Sequence, residues 1–93
     1  MIKRISMWKL NDKSDAEEMK RALLSMKGQV ACLLEIEVGI NVSTHQSAYD
    51  VVFIGSFADD QALLEFESDE FHKGVGNTIS KLRDHRVVIE YAC

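Results

Sequence analysis

Apolar and polar residues alternate through "IKRISMWKL", Ile2 to Leu10, which places Ile5 and Met7 on one face of a strand and Arg4, Ser6 and Trp8 on the other. A polar break follows. Within it Ser14-Asp15-Ala16-Glu17 has the S-x-x-E spacing of a capping box, and Met19, Ala22, Leu23 and Met26 then recur at helical spacing as far as Gly28. A helix over 15–27 is predicted. "LLEIEVGINV", Leu33 to Val42, alternates again, with Leu34, Ile36, Val38, Ile40 and Val42 on one side. "YDVVFIGSF", Tyr49 to Phe57, is apolar on both sides, as expected of a central strand covered on both faces. Asp59 or Asp60 is placed to cap a short helix bearing Ala62, Leu63 and Phe66. Ser68 or Asp69 is placed to open the next, whose inner stripe is Phe71, Val75, Ile79 and Leu82; the two form one bent helix or two separate ones. "RVVIEYA", Arg86 to Ala92, closes the chain as a strand.

The order β-α-β-β-α-β predicts an α+β, ferredoxin-like domain spanning 1–93, with a four-stranded antiparallel sheet covered by helices on one face. Its other face, expected to carry Trp8, Val51 and Phe53, needs cover as well. That predicts a homodimer packed sheet to sheet through the open face. Length points the same way. At 93 residues the chain buries only about 60% of its unfolded surface, and association supplements so small a core.

Charge removes several function classes. The net charge is −4, and the basic residues are scattered, so no positive stripe is available for nucleic acid. No apolar run approaches the ~20 residues of a membrane span. The opening residues lack a signal-peptide apolar block. A cytoplasmic protein with Cys32 and Cys93 as free thiols is expected. The histidines His45, His72 and His85 show no ligand spacing, so no metal site is predicted, and Gly74 and Gly76 lie inside a helical pattern rather than ahead of one, which excludes a phosphate loop. There the glycines allow close approach of helix and sheet, or a bend near His72. Glu35 and Glu37 share a strand face, either as solvated charge or as ligands for a divalent ion.

His72, one turn into its helix, is the candidate general base, since an imidazole titrates near neutrality. Its structural alternative is a hydrogen bond to a strand carbonyl or to Asp69. Arg4, beside Ser6 and Trp8, either pairs with Glu90 or Glu35 or supplies positive charge to a ligand.

Taken in order, "MIKRISMWKLND", "LLEIEVGINVS", "AYDVVFIGSFADDQALLEFESDEFHKGV" and "RVVIEYA" resemble the strands and histidine turn of the stress-responsive A/B-barrel (Dabb) family across essentially the whole chain. The resemblance implies a dimeric α/β barrel. One plant branch of that family cyclises a linear polyketide without a cofactor, using a histidine that corresponds to His72. At three further positions of that branch's site, Phe66 stands for a tyrosine, and Arg4 and Val51 each stand for a histidine. Together with the strand pattern, this nominates Arg4, Ser6, Trp8, Val51, Phe53 and Phe66 as pocket residues. Three readings follow: a protein binding a small apolar molecule in the barrel cavity, a cofactor-free, cyclase-like enzyme with His72 as base, and a purely structural dimerisation module.

Overall fold

The computed structural model describes residues 1–93. Four strands and three helices follow one another as β1 (Ile2–Leu10), α1 (Ala16–Leu24), β2 (Glu35–Ile40), β3 (Val51–Phe57), α2 (Asp60–Ser68), α3 (Glu70–Leu82) and β4 (Arg83–Ala92). The sheet runs in the order β2-β3-β1-β4 with every neighbouring pair antiparallel, which is the ferredoxin-like split βαβ arrangement. α1 packs over β2 and β3, and α3 lies against α1 and α2.

Side chains directly opposed in an antiparallel ladder share a face. The β1–β3 and β1–β4 registers therefore put Arg4, Ser6 and Trp8 with Gly55, Phe53 and Val51 on one side and with Glu90, Val88 and Arg86 on the other. This is the face that the helices cover. Trp8, Val51 and Phe53 are buried beneath them, in one core with Met19, Phe57, Phe66, Val75 and Ile79. The expectation that Trp8, Val51 and Phe53 lie on the uncovered face is thus corrected. Alternation divides a strand into two sets without saying which set the helices take, and β3 is apolar in both. The bulky aromatics fill the deep volume under the helices, while the uncovered face carries Ile5, Met7, Val52, Ile54, Val87 and Ile89.

Local differences have local causes. Ser14 forms no capping box, because both its backbone N–H and its hydroxyl donate to Asp12 Oδ1, at 2.9 and 2.7 Å, which starts a single 3-10 turn instead. α1 stops at Leu24 rather than Lys27, and turns run on to Gly28, whose φ of 77° suits glycine alone among these residues. β2 keeps its regular ladder only over Glu35–Ile40, so Leu34 and Val42, which the alternation puts on one side with Ile36, Val38 and Ile40, lie beyond it and are exposed. β4 begins three residues early, at Arg83.

Candidate functional site

The site is built on a helix break. Asp69 alone separates α2 from α3, with extended backbone (φ −68°, ψ 128°), and serves as C-cap of the first and N-cap of the second. Its carboxylate accepts from the His72 backbone N–H at 2.9 Å. Ending α2 here leaves late carbonyls in need of donors. His72 supplies one: its Nδ1 lies 2.7 Å from the Phe66 carbonyl oxygen. A carbonyl only accepts, so Nδ1 carries the proton, and Nε2 keeps its lone pair with no protein partner. The imidazole also stacks on the Phe66 ring, 3.7 Å between centroids. Burial, the largest influence, presses its pKa below the ordinary 6.5; the Phe66 carbonyl and Glu67 pull the other way. His72 is therefore a neutral base at pH 7, held in one tautomer.

Between α3 and the β1–β4 half of the sheet lies a cavity of about 360 Å³. Trp8, Phe53, Phe66, Val75 and Ile79 form its apolar wall, and His72, Arg4, Ser6, Glu67, Arg86 and Glu90 its polar side. It opens along β4, where Val88 faces the helices and is still half exposed. The cavity belongs to one chain, between its own sheet and helices, rather than to the space between two sheets.

Arg4 is nearly buried and doubly paired: its Nε donates to Glu90 Oε2 at 2.6 Å, and its second guanidinium nitrogen meets Glu67 Oε1 at 2.5 Å. The same guanidinium sits 5.6 Å from the centre of the Phe66 ring. With two carboxylates in hand, Arg4 is an organising ion rather than a free one. Arg86 is different. It has no carboxylate within ion-pair distance, and its one hydrogen bond goes to Ser6 Oγ at 3.3 Å. Partial burial, then the charge of Arg4, press its guanidinium below the usual arginine pKa. Trp8 stands directly opposite Arg86 in the β1–β4 register, and its indole Nε1 is buried with no hydrogen-bond partner.

Of the residues nominated from the sequence, His72, Arg4, Ser6, Trp8, Phe53 and Phe66 line this one cavity, whereas Val51 lies in the core outside it. Glu90 is the strand partner of Arg4; Glu35 is not, being on β2 at the far edge of the sheet. Glu67, Arg86 and Arg83 also line the cavity and were not nominated. Only the β4 register and the helix break bring them there, and no short motif encodes either. An added methyl at Gly74 or Gly76 would meet nothing within 4 Å, so neither glycine serves a close helix–sheet approach. No group of three or more His, Cys, Asp or Glu side chains converges as a metal site would require. Cys32 and Cys93 are unpaired, and burial raises the Cys32 thiol pKa. No helix is long and apolar enough to cross a membrane.

Comparison with known proteins agrees with this architecture. Residues 2–93 match the stress responsive A/B barrel domain, and the chain belongs to that family. No curated protein matches it. Among solved structures it is similar to a dimeric ferredoxin-like protein of unknown function from Bacteroides fragilis, with TM-score 0.86, 18% identity, and coverage of 99% of this chain and 95% of that one. A Dabb family protein from Mesorhizobium loti superposes with TM-score 0.76 at 21% identity, covering 99% and 95% of the two chains. A hydroxynitrile lyase from Passiflora edulis reaches TM-score 0.83 at 9% identity, covering 97% and 90%.

Proposed function

We propose that this A/B-barrel domain binds a small, mostly apolar molecule in the cavity between its sheet and α3. The observation that carries the reading is the cavity's construction: one wall of Trp8, Phe53, Phe66, Val75 and Ile79, and facing it a histidine fixed in one tautomer. Apolar walls with a few fixed polar groups are the common pattern of small-molecule sites. The working unit is a homodimer formed through the uncovered sheet face, as the relative from Bacteroides fragilis is dimeric. We place it in the cytoplasm, where reducing conditions keep Cys32 and Cys93 as thiols. The test is a thermal-shift screen of wild type and His72→Ala side by side against aromatic, polyketide-like and fatty-acyl compounds. A compound that raises the melting temperature of the wild type, and much less that of the variant, supports the reading. No response from either protein would leave a structural dimerisation module.

A second reading is favoured by the His72 tautomer. With Nδ1–H held by the Phe66 carbonyl, Nε2 is free to take a proton from carbon beside a substrate carbonyl, without a cofactor. The negative charge then developing on the carbonyl oxygen would be met by Arg86, since Arg4 is already neutralised by Glu67 and Glu90. The shared fold with a lyase makes the scaffold compatible with such chemistry. Turnover of any compound found in the screen, abolished by His72→Asn, would establish it.

A further inference from the structure

Three residues that line the cavity, Arg86, Ser6 and Trp8, carry hydrogen-bond donors with too few acceptors. The Arg86 guanidinium donates only to Ser6 Oγ, at 3.3 Å. Ser6 is almost wholly buried, and while its oxygen accepts from Arg86, its own O–H has no acceptor. The Trp8 indole N–H is buried and unpaired. These residues lie together because of strand geometry: Trp8 is directly opposite Arg86, and Ser6 is one residue pair further along the same face of β1. A buried donor without a partner costs about 1–3 kcal/mol and calls for an explanation. Neither nearby carboxylate supplies one, because Arg4 holds both Glu67 and Glu90.

The charge balance has the same sense. Three arginines, Arg4, Arg83 and Arg86, line the cavity against two glutamates, so with His72 neutral one positive charge is left over. That excess sits in a chain whose net charge is −4. A guanidinium fork fits both carboxylate and phosphate oxygens, and the single surplus charge selects between them: it suits a monoanionic carboxylate rather than a phosphate dianion.

We propose that the cavity is a carboxylate site: its ligand is a small monoanionic acid whose carboxylate is held by Arg86, Ser6 Oγ–H and the Trp8 indole N–H, and whose apolar body runs along Phe53, Phe66, Val75 and Ile79. The assignment rests on the cavity-binding reading above and deepens it by giving the ligand's chemical class. It also separates the roles of two arginines on one sheet face. Arg4 braces the helix break against β4, and Arg86 meets the ligand.

The test uses a matched pair of probes, 4-phenylbutanoate and 4-phenylbutanamide, which differ in charge at one end only. Trp8 is the chain's single tryptophan, so its emission reports binding at the site directly. In wild type the acid binds at least about tenfold more tightly than the amide, the discrimination expected of one charge-assisted contact. Arg86→Gln reduces the preference to near one, while Lys13→Gln, an exposed charge that does not line the cavity, leaves it intact. An amide that binds as tightly as the acid, or an Arg86→Gln protein that still prefers the acid, would overturn the carboxylate assignment and leave the cavity-binding reading standing. If neither probe perturbs Trp8 at millimolar concentration, and no compound of the thermal-shift screen binds either, both fall together. Far-ultraviolet circular dichroism of Arg86→Gln confirms that a lost preference comes from a folded protein.

Discussion

Arg4 and Arg86 sit two rungs apart on one ladder face, yet only one has its charge met by the protein. The sequence offered two partners for Arg4, and Glu90 is the one that pairs, because antiparallel register sets them opposite each other. Glu67 was not foreseeable, since it reaches Arg4 only where α2 ends. Arg86 could not be singled out at all: "HRVV" reads as the edge of a strand, and its significance lies in the lack of a carboxylate around it. His72 was legible by position, but the Phe66 carbonyl that fixes its tautomer was not. Its burial yields a prediction. A histidine whose folded pKa lies below 6.5 binds fewer protons folded than unfolded between those two values. Stability is therefore full above about pH 6.5 and is lost as pH falls from there through the folded value. Asparagine can donate its amide N–H to the Phe66 carbonyl and does not titrate. Urea denaturation at pH 7.5 and 5.5 is then expected to show a larger loss for wild type than for His72→Asn. Equal losses would mean that the imidazole is not held neutral by its surroundings.

At the scale of elements, the periodicities of 2 and 3.6 were enough to give the order β-α-β-β-α-β, because each strand and helix buries one face and repeats at its own period. The second helical region stayed open between one bent helix and the two that form. Their ends were less legible. Ser14 has the right neighbour for a capping box, but Asp12 reaches it first. Both Ser68 and Asp69 could open α3, and the break is set by Asp69, whose carboxylate is within 2.9 Å of the His72 amide. Asp69→Ala should cost about 1 kcal/mol in chemical denaturation, as lost caps do. The variant should also loosen the α2–α3 joint, seen as faster amide exchange at His72. Gly74 makes the opposite prediction. It is exposed in the middle of α3, and an added methyl meets nothing within 4 Å, so Gly74→Ala should stabilise by about 0.5–1 kcal/mol. Gly55 on β3 is the contrast: a Cβ there would lie 2.6 Å from Phe53 Cζ and 3.0 Å from Leu33 Cδ1, both in the core. Gly55→Ala should cost about 1–3 kcal/mol, as overpacking does. A stabilising Gly55→Ala together with a destabilising Gly74→Ala would mean that the helices pack on the sheet differently from this account.

For the whole molecule, the uncovered sheet face is what the chain alone leaves unresolved. The sequence indicated that one face would lie open and that it would be apolar, and only the register shows which residues form it. Ile5 faces Ile54 on one side and Ile89 on the other, and Met7 faces Val52 and Val87, so six apolar side chains make a continuous patch. Glu37 on β2 borders it at one edge and Lys3 and Lys9 on β1 punctuate it, which suits a polar rim around an apolar centre. Ile89 is 59% exposed in the single chain, so replacing it there should cost little. In a sheet-to-sheet dimer the same position is buried, and a carboxylate placed in it has no partner, which costs several kcal/mol. Ile89→Glu therefore discriminates between the two states. Wild type should sediment at twice the 10.5 kDa chain mass, with a melting temperature that rises with protein concentration, as mass action requires of a dimer that unfolds to single chains. The variant should sediment as one chain, melt lower, and lose the concentration dependence. Because Ile89 points away from the helices while Arg86 and Val88 point toward them, the variant also tests whether the cavity needs the dimer. If monomeric Ile89→Glu still binds 4-phenylbutanoate through Trp8, the sheet separates two independent surfaces, one for assembly and one for ligand. If binding is lost along with the partner, the second copy holds β4, and with it Arg86, in the position the site requires.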